Sequence, residues 1–247
     1  MIALQLYTVR DLLTDAESTR ATLLRIKEIG YEGVQLAGAV SEVRAVAQMA
    51  DEVGLRVIGF LGGVTDIENA SEELFSALRA YGATDIGISG YQTTEHGARE
   101  FAARVNAAAK KVRDAGFTFS YHNHHHEFLR TACGKTVMDI YKEVFDPSLV
   151  DFMPDTYWLQ RAGIDVRDFI ETKASRITIL HLKDYECREE TALFAPLGEG
   201  NLNLRGIVSL AERVGIRDLV VEQDVCEGDP LACVARSYAY LTQILAH

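Results

Sequence analysis

Cysteine is scarce in this sequence, and its spacing is not that of a disulfide framework or a zinc ribbon. The 247 residues contain four cysteines, and no two of them form a C-x-x-C pair. Structural zinc sites typically use such pairs, and small disulfide-stabilised domains contain many more cysteines for their length. The sequence therefore argues against both classes of protein, and a reducing cytoplasm is the expected location.

An excess of positive charge and long apolar segments are also lacking. Lysine and arginine number 25 against 36 aspartates and glutamates, which gives a net charge of −11. This balance disfavours a protein that binds through the nucleic-acid backbone, although a local Lys or Arg would still hold a small anionic substrate. No export signal and no apolar run long enough to span a bilayer is visible. We therefore expect neither a nucleic-acid nor a membrane partner.

A recurring pattern of glycines predicts alternating helices and strands. Five helical segments end in a glycine that is followed almost directly by an apolar, strand-like segment: Gly30, Gly54, Gly82, Gly116 and Gly215. Glycine is the residue that most readily adopts the left-handed conformation that closes a helix. Helix followed by strand is therefore the repeating unit, and this unit predicts a parallel sheet covered by helices.

The pattern predicts eight strands and eight helices. Strands are expected near 2–6, 32–36, 55–60, 84–88, 117–123, 150–154, 176–182 and 218–222, and helices near 16–29, 41–53, 68–81, 94–115, 135–145, 165–173, 203–214 and 229–245. Eight such units in about 250 residues are typical of a closed barrel. No G-x-G-x-x-G follows an early strand, which weakens the alternative of an open dinucleotide-binding sheet. We predict an α/β fold in which residues 1–247 form a single (β/α)8 TIM-barrel domain.

Side chains able to bind a metal or move a proton lie at the ends of the last four predicted strands. They are His122, His124 and Glu127 after strand five, Asp155 after strand six, His181 and Lys183 in strand seven, and Glu222 in strand eight. In a barrel of parallel strands these ends meet at the face that carries active sites. Carboxylates and imidazoles suit Mn²⁺, Mg²⁺, Co²⁺ or Zn²⁺. Such a cation would polarise a substrate carbonyl while a neighbouring group moves the adjacent proton.

Each of these residues also has a simpler interpretation. The histidine-rich segment 122–126 is compatible with a solvated loop, Asp155 with a helix cap, and His181 with a core histidine. Lys183 would then extend its ammonium group to the surface. Glu222 follows Leu-Val-Val and is harder to explain in this way, because buried carboxylates are rarely unpaired. The shared position of the set favours one polar site.

Six short motifs together resemble one enzyme family. They are LQLYTVR at 4–10, YHNH at 121–124 with Glu127 beyond it, DTYW at 155–158, HLKD at 181–184, GEGN at 198–201 and EQD at 222–224. In combination they resemble the sugar phosphate isomerase/epimerase family of the xylose isomerase-like TIM-barrel superfamily. The resemblance runs from residue 2 to beyond residue 224, which is nearly the whole chain.

The resemblance implies a divalent metal, with Mn²⁺ as the first expectation. Asp155, His181 and Glu222 match the ligands that relatives place on strands six, seven and eight. The ligand from strand five stays open between Glu127, His122 and His124, because ketose 3-epimerases have a glutamate within that strand where this sequence has Ser-Tyr-His. The sequence thus departs from the two-glutamate mechanism of those enzymes.

Roles for the remaining residues follow from their positions and from the resemblance. The expected catalytic groups are Glu222, His122, Lys183 and Glu127. The expected substrate-binding groups are Gln5, Tyr7, His124, Glu199 and Trp158, the last either as a wall for a sugar ring or as packing under a loop. The segment from 186 to 201 is expected to be a long functional loop.

Two reactions are compatible with this set of residues. The first is isomerisation or epimerisation of a sugar, keto-sugar or sugar phosphate, and the alternative is dehydration of a keto-inositol or 3-keto-sugar. Phosphodiester cleavage of the endonuclease IV type is disfavoured by the acidic charge. A non-catalytic sugar-binding barrel and a homo-oligomeric assembly are also compatible with the sequence.

Overall fold

The structure, a computed structural model, describes residues 1–38 and 40–246. The strands form the frame of the fold. They are β1 (Ile2–Gln5), β2 (Gly33–Ala37), β3 (Arg56–Gly63), β4 (Asp85–Ser89), β5 (Thr118–His122), β6 (Asp151–Met153), β7 (Ile179–Leu182), β8 (Asp184–Arg188), β9 (Thr191–Ala195) and β10 (Asp218–Val221). Eight of them form a parallel sheet in the order β6-β5-β4-β3-β2-β1-β10-β7. Its outer strands meet through parallel bridges from Phe152 to Ile177 and from Asp155 to His181. The sheet is therefore a nearly closed barrel, which confirms the predicted single-domain TIM-barrel fold.

The helices cover the outside of this barrel. They are α1 (Ala16–Ile29), α2 (Val43–Glu52), α3 (Val64–Glu68), α4 (Glu72–Ala80), α5 (Glu95–Asp114), α6 (Val137–Val144), α7 (Thr156–Arg161), α8 (Val166–Lys173), α9 (Leu204–Arg213) and α10 (Pro230–Leu245). Eight match the predicted helices, and the short α3 and α7 are additional. The five glycines expected at helix ends all have φ between +78° and +122°. Within the described residues, no helix has both the length and the hydropathy to cross a bilayer.

Apolar side chains fill the inside of the barrel below its mouth. Ala3, Ile58, Met153, Ile179 and Val220 form this inner layer. Because side chains alternate along a strand, the next inward-facing position lies two residues further on. For three of the strands that position is Asp155, His181 or Glu222. The alternation therefore places all three polar side chains directly above the apolar layer.

The segment after β7 is not the long loop that the sequence suggested. β8 and β9 pair as an antiparallel hairpin from Asp184 opposite Ala195 to Arg188 opposite Thr191. The hairpin turns through Glu189 at φ +56°. It rises from the barrel mouth and carries Phe194 to the side of the cavity described below.

The loop that follows the hairpin is organised by one buried carboxylate. Asp184 Oδ2 accepts backbone N–H bonds from Gly198 at 2.8 Å and Gly200 at 3.1 Å. Asp184 Oδ1 accepts from Tyr185 at 2.8 Å and Leu202 at 3.2 Å. A Cβ at Gly200 would lie only 2.4 Å from this carboxylate. The close approach gives the second glycine of GEGN a structural role.

Candidate active site

Four buried side chains converge at the carboxyl ends of the barrel strands. His122, Asp155, His181 and Glu222 each offer one ligand atom, and these atoms lie within 4.8 Å of one another. None of the four side chains is more than 5% exposed. We call these four residues the acid–imidazole cluster. The structure therefore brings together residues from four consecutive barrel strands, as the strand-end rule predicts.

Asp155 serves both the helix that follows it and the cluster. Its Oδ1 caps α7 by accepting the backbone N–H of Trp158 at 2.9 Å. Its Oδ2 is buried without a hydrogen bond among the described residues and faces Lys183 Nζ at 2.9 Å. The cap and the ligand interpretations of this residue are compatible, because each uses a different oxygen.

Glu222 and Gln35 contact the two ring nitrogens of His181. His181 Nδ1 lies 2.8 Å from Glu222 Oε2, and His181 Nε2 lies 2.7 Å from Gln35 Oε1. Gln5 Nε2 donates to the same Gln35 oxygen at 2.7 Å. Imidazoles that bind metals usually bond through their other nitrogen to such an orienting group. The structure therefore places Gln5 behind His181, fully buried, rather than in contact with the cavity.

Lys183 supplies a positive charge inside the site. Its Nζ lies 2.9 Å from Asp155 Oδ2, 3.1 Å from Glu222 Oε2 and 3.0 Å from Asp224 Oδ1. The residue is 1% exposed, so its ammonium group does not reach the surface. Burial lowers the pKa of Lys183, but the three carboxylates outweigh burial and raise that pKa above its ordinary value. The side chain is therefore a buried cation.

The cluster fits a divalent cation by the chemistry of its donor atoms. His122 Nδ1 and Asp155 Oδ2 are buried and have no hydrogen-bond partner among the described residues. Burial lowers the pKa of His122 well below its ordinary value, so the ring is neutral and able to act as a ligand. Two carboxylates with two imidazoles suit Mn²⁺, Co²⁺ or Zn²⁺ in particular.

Glu127 lies outside the cluster. Its Oε1 accepts from the Tyr121 hydroxyl at 2.7 Å, and its Oε2 accepts from the His124 backbone N–H at 2.9 Å. Glu127 also lies in a second group with His124 and His126. Among the three candidates for the strand-five ligand, the structure places only His122 with Asp155, His181 and Glu222.

A cavity of about 660 Å³ opens above the cluster. Tyr7, His124 and Trp158, three of the predicted substrate-binding residues, line it together with His122 and Glu222. The expectation for Glu199 is not matched. Its carboxylate is exposed and accepts a hydrogen bond from Arg236 Nε at 2.7 Å, and it does not line this cavity.

The structure also adds residues that the sequence analysis did not identify as part of the site. Phe194 lines the cavity, stacks on Tyr157 at 4.2 Å and meets Trp158 edge-on at 5.6 Å between ring centroids. Asp66 and Asp224 contribute acidic groups to the lining. Asp224 shares the EQD motif with Glu222, which was a usable signal. The sequence contains no comparable signal for Phe194, because strand β9, in which it lies, was not predicted.

Comparisons with known proteins agree with this arrangement of strands. A crystal structure of a sugar phosphate isomerase/epimerase from Parabacteroides distasonis is 24% identical, with a TM-score of 0.79 over 98% of this chain and 97% of that one. A 3-keto-D-glucoside 4-epimerase from E. coli is 15% identical, with a TM-score of 0.72 and 98% of each chain covered. A xylose isomerase-like TIM-barrel protein from Mycobacterium smegmatis, in complex with magnesium, is 17% identical with a TM-score of 0.71, covering 99% of this chain and 96% of that one.

The sequence comparison defines the family. No curated protein matches the chain significantly. The profile of the xylose isomerase-like TIM-barrel family matches residues 23–237, which is most of the sequence. The match covers strands β2 to β10 and therefore all four residues of the acid–imidazole cluster. The chain belongs to the xylose isomerase-like TIM-barrel family.

Proposed function

We propose that this protein is a divalent-metal-dependent enzyme that isomerises or epimerises a keto-sugar by moving a proton next to its carbonyl group. The observation that carries the proposal is the buried acid–imidazole cluster on the floor of an open cavity. Carboxylates so close together are costly to bury without cations. Packing of the core alone would not explain a buried cluster of charged and imidazole side chains beside a cavity of 660 Å³.

The residues of the cluster would hold the cation, and Mn²⁺ is our first choice among the metals that suit them. Asp155, His181 and Glu222 supply three of the ligands, and His122 supplies the fourth. When bound, the cation polarises a carbonyl and stabilises the negative charge that develops on its oxygen. Gln35 would keep the His181 ring in the orientation that this role requires.

Proton transfer is assigned to side chains that line the cavity or adjoin it. Glu222 lines the cavity, so a carboxylate oxygen can take the proton from the carbon beside the carbonyl and return it to the neighbouring carbon in an isomerisation, whereas an epimerisation needs a second proton donor on the opposite face of the substrate. The electron pair of the broken C–H bond moves toward the carbonyl oxygen. Lys183 stabilises that charge as an ammonium group. Glu127 fixes the turn that presents His124.

Solvent exchange tests this function directly. Keto-sugars incubated in deuterated water with the protein and Mn²⁺ should gain deuterium beside the carbonyl, as read by mass spectrometry. Glu222→Gln should abolish the exchange. Glu199→Gln removes the same charge outside the cavity and should leave the exchange unchanged. Equal exchange rates for the two variants would contradict the proposal.

Dehydration is the second candidate, and one observation favours it. The buried Lys183 ammonium group lies 3.1 Å from Glu222 Oε2, so Glu222 is a strong acid once it has taken the C–H proton, and it can give that proton to a departing β-hydroxyl. The products are water and a carbon–carbon double bond conjugated to the carbonyl. An unsaturated product in the exchange experiment would support the lyase. Deuterium uptake without loss of water would support the isomerase or epimerase.

The proposal extends to the binding partner of the protein and to its cellular compartment. A small sugar is the expected ligand, and we propose no nucleic-acid or membrane partner for a chain with a net charge of −11. All four cysteines are free thiols, which supports a reducing compartment such as the cytoplasm.

A further inference from the structure

We infer that the cavity binds an uncharged keto-sugar that carries a second ring, such as a keto-disaccharide or keto-glycoside, rather than a sugar phosphate. This inference rests on the proposed function and narrows its substrate. Four features of the structure support it: the sign of the charges around the cavity, the bonds already made by nearby cations, the bonds already made by two backbone donors, and the distribution of large and small side chains along the walls.

The charged lining of the cavity is acidic. Among the described residues that line it, none is Lys or Arg, and the carboxylates are Asp66, Glu222 and Asp224. A phosphate carries close to two negative charges near neutral pH, and proteins usually bind it through Arg, Lys or backbone N–H groups. A sugar phosphate in this cavity would meet carboxylates without a compensating group in the wall.

Three cations near the cavity are already bonded to other groups. Arg161, whose guanidinium lies 5.4 Å from the centre of the Trp158 ring, donates to the Tyr157 hydroxyl at 3.2 Å. Lys183 is held by three carboxylates. Arg10 donates to the backbone oxygens of Tyr7 at 2.8 Å and Asp224 at 3.0 Å, and its guanidinium lies 4.1 Å from the centre of the Tyr7 ring. Recruiting any of these side chains to a phosphate would require these interactions to break.

Two backbone donors beside the cavity are bonded to carboxylates as well. Asp155 Oδ1 accepts the Trp158 N–H at the start of α7. Asp66 Oδ2 accepts the Gly63 N–H at 2.8 Å at the start of α3. Both short helices therefore begin with a negative side chain where a phosphate would otherwise find free N–H groups. These two backbone N–H groups are therefore not free to bind an anion.

The walls differ in size from one side to the other. Trp158 and Phe194 form an aromatic wall close to the cluster, with Lys183 Nζ 5.4 Å and 5.8 Å from their respective ring centroids. The opposite side, at the ends of β2 to β4, has Leu61 in the lining but otherwise mostly small residues: Ala37, Gly38, Gly62, Gly63 and Ser89. The volume of 660 Å³ lies in the middle of the roughly 300–1,000 Å³ typical of small-ligand pockets.

This asymmetry indicates where two sugar rings would lie. The reacting ring sits over the cluster with its apolar face against Trp158 and Phe194. The second ring occupies the space left by the small residues of β2 to β4. Asp66 lies on that side and would accept hydrogen bonds from sugar hydroxyls, which a phosphate without protons cannot donate.

Calorimetry and solvent exchange on the Mn²⁺-loaded protein test this inference together. The probes are D-fructose, D-fructose 6-phosphate and 3-keto-lactose. We expect 3-keto-lactose to bind most tightly and D-fructose 6-phosphate to bind more weakly than D-fructose. Binding of D-fructose 6-phosphate as tight as that of either neutral sugar would overturn the inference, whether or not deuterium exchange occurs.

The same data keep this inference separate from the proposed function. Absence of exchange with every probe, combined with the expected order of affinities, would remove the proposed function and support the inferred ligand class. Exchange that is fastest with D-fructose 6-phosphate would support the function and overturn the ligand class.

A matched pair of variants tests the electrostatic reason for excluding a phosphate. Ser89 lines the cavity at the end of β4, and Ser89→Lys and Ser89→Met add side chains of similar length that differ in charge. The Lys variant should bind D-fructose 6-phosphate about tenfold more tightly than the Met variant. Equal affinities in the two variants would overturn the electrostatic reason.

Discussion

Asp85 lies at the amino-terminal end of a barrel strand, opposite the mouth. Its ionisation should lower the free energy of unfolding of this protein as the pH rises. It is the first residue of β4 and is 1% exposed. Its Oδ2 accepts from the hydroxyls of Thr118 at 2.6 Å and Ser120 at 2.7 Å. Its Oδ1 is buried without a partner among the described residues. A negative charge there is poorly compensated.

The magnitude follows from the shift in pKa. Burial raises the pKa of Asp85 from 3.8 to about 6, although the two hydroxyl bonds lower it. The folded state therefore binds the proton more tightly than the unfolded state. The stabilising effect is fully present below pH 3.8 and is lost as the pH rises through about 6. This difference in pKa between the folded and unfolded states corresponds to roughly 3 kcal/mol.

Asp85→Asn removes this titration and keeps an oxygen that can accept both hydroxyl bonds. Its free energy of unfolding, relative to wild type, should increase by about 3 kcal/mol between pH 4 and pH 8. In a protein of this size that change corresponds to a shift of roughly 6–12 °C in the melting temperature. The change across pH is the decisive quantity, because an unpartnered amide at this position adds a cost that does not depend on pH.

Urea unfolding followed by circular dichroism at several pH values measures this difference. A chelator should be present so that release of a metal does not contribute to the pH dependence. Asp51→Asn removes an exposed carboxylate and serves as the control, with a pH dependence like that of wild type. Parallel stability curves for wild type and Asp85→Asn would refute the reasoning.

Three further predictions concern the mouth of the barrel. Asp155→Asn and His181→Ala should sharply reduce the metal content of purified protein by elemental analysis, whereas Cys226→Ser should not, and equal retention in all three would contradict the proposed metal site. Gln35→Ala should weaken metal binding by about 10–100-fold in calorimetry, because His181 loses its orienting partner. Asp184→Ala leaves four backbone N–H groups without their acceptor and should cost about 3 kcal/mol or more of stability, with faster hydrogen exchange at 198–202; unchanged exchange there would show that the carboxylate does not hold the loop.

The barrel was predictable because two simple periodicities are strong in this sequence. Glycines at the ends of helical segments mark where each helix stops. Side chains alternate between the two faces of a strand, which shows which residues point to the same side. These patterns placed Asp155, His181 and Glu222 at one mouth without any knowledge of contacts. The boundaries of most predicted helices differ from the observed ones by one or two residues. The predicted 68–81 helix starts later, at Glu72, because 64–68 forms α3.

The hairpin after β7 was not predictable in the same way. Its two strands have five residues each, the first of them is rich in charged residues, and its turn passes through Glu189 at φ +56° without a glycine. The usual signals of a hairpin, Asn-Gly or Asp-Gly between alternating apolar residues, are missing. The sequence therefore indicated a loop. Because strand β9 was not predicted, the contribution of Phe194 to the cavity was not predicted either.

The ligand from strand five shows where spacing alone fails. His122 and Glu127 were both plausible because each lies near the end of β5. The direction of the strand separates them: His122 faces into the barrel, whereas Tyr121 faces outward and packs against Phe101 and Tyr141. Glu127 returns through a 3₁₀ turn at His126–Phe128 and bonds to the outward-facing Tyr121. Such a turn depends on tertiary contacts, which the periodicity of the sequence does not predict.

The buried charges explain why Lys183 and a divalent cation suit the same site. Asp155, Glu222 and Asp224 all face one ammonium group in this structure. Because that group supplies one positive charge to three carboxylates, the site as described keeps an excess of negative charge whenever all three are ionised. A divalent cation among the same oxygens would correct the excess. The three carboxylates that pair with Lys183 are therefore also the groups that would favour a divalent cation.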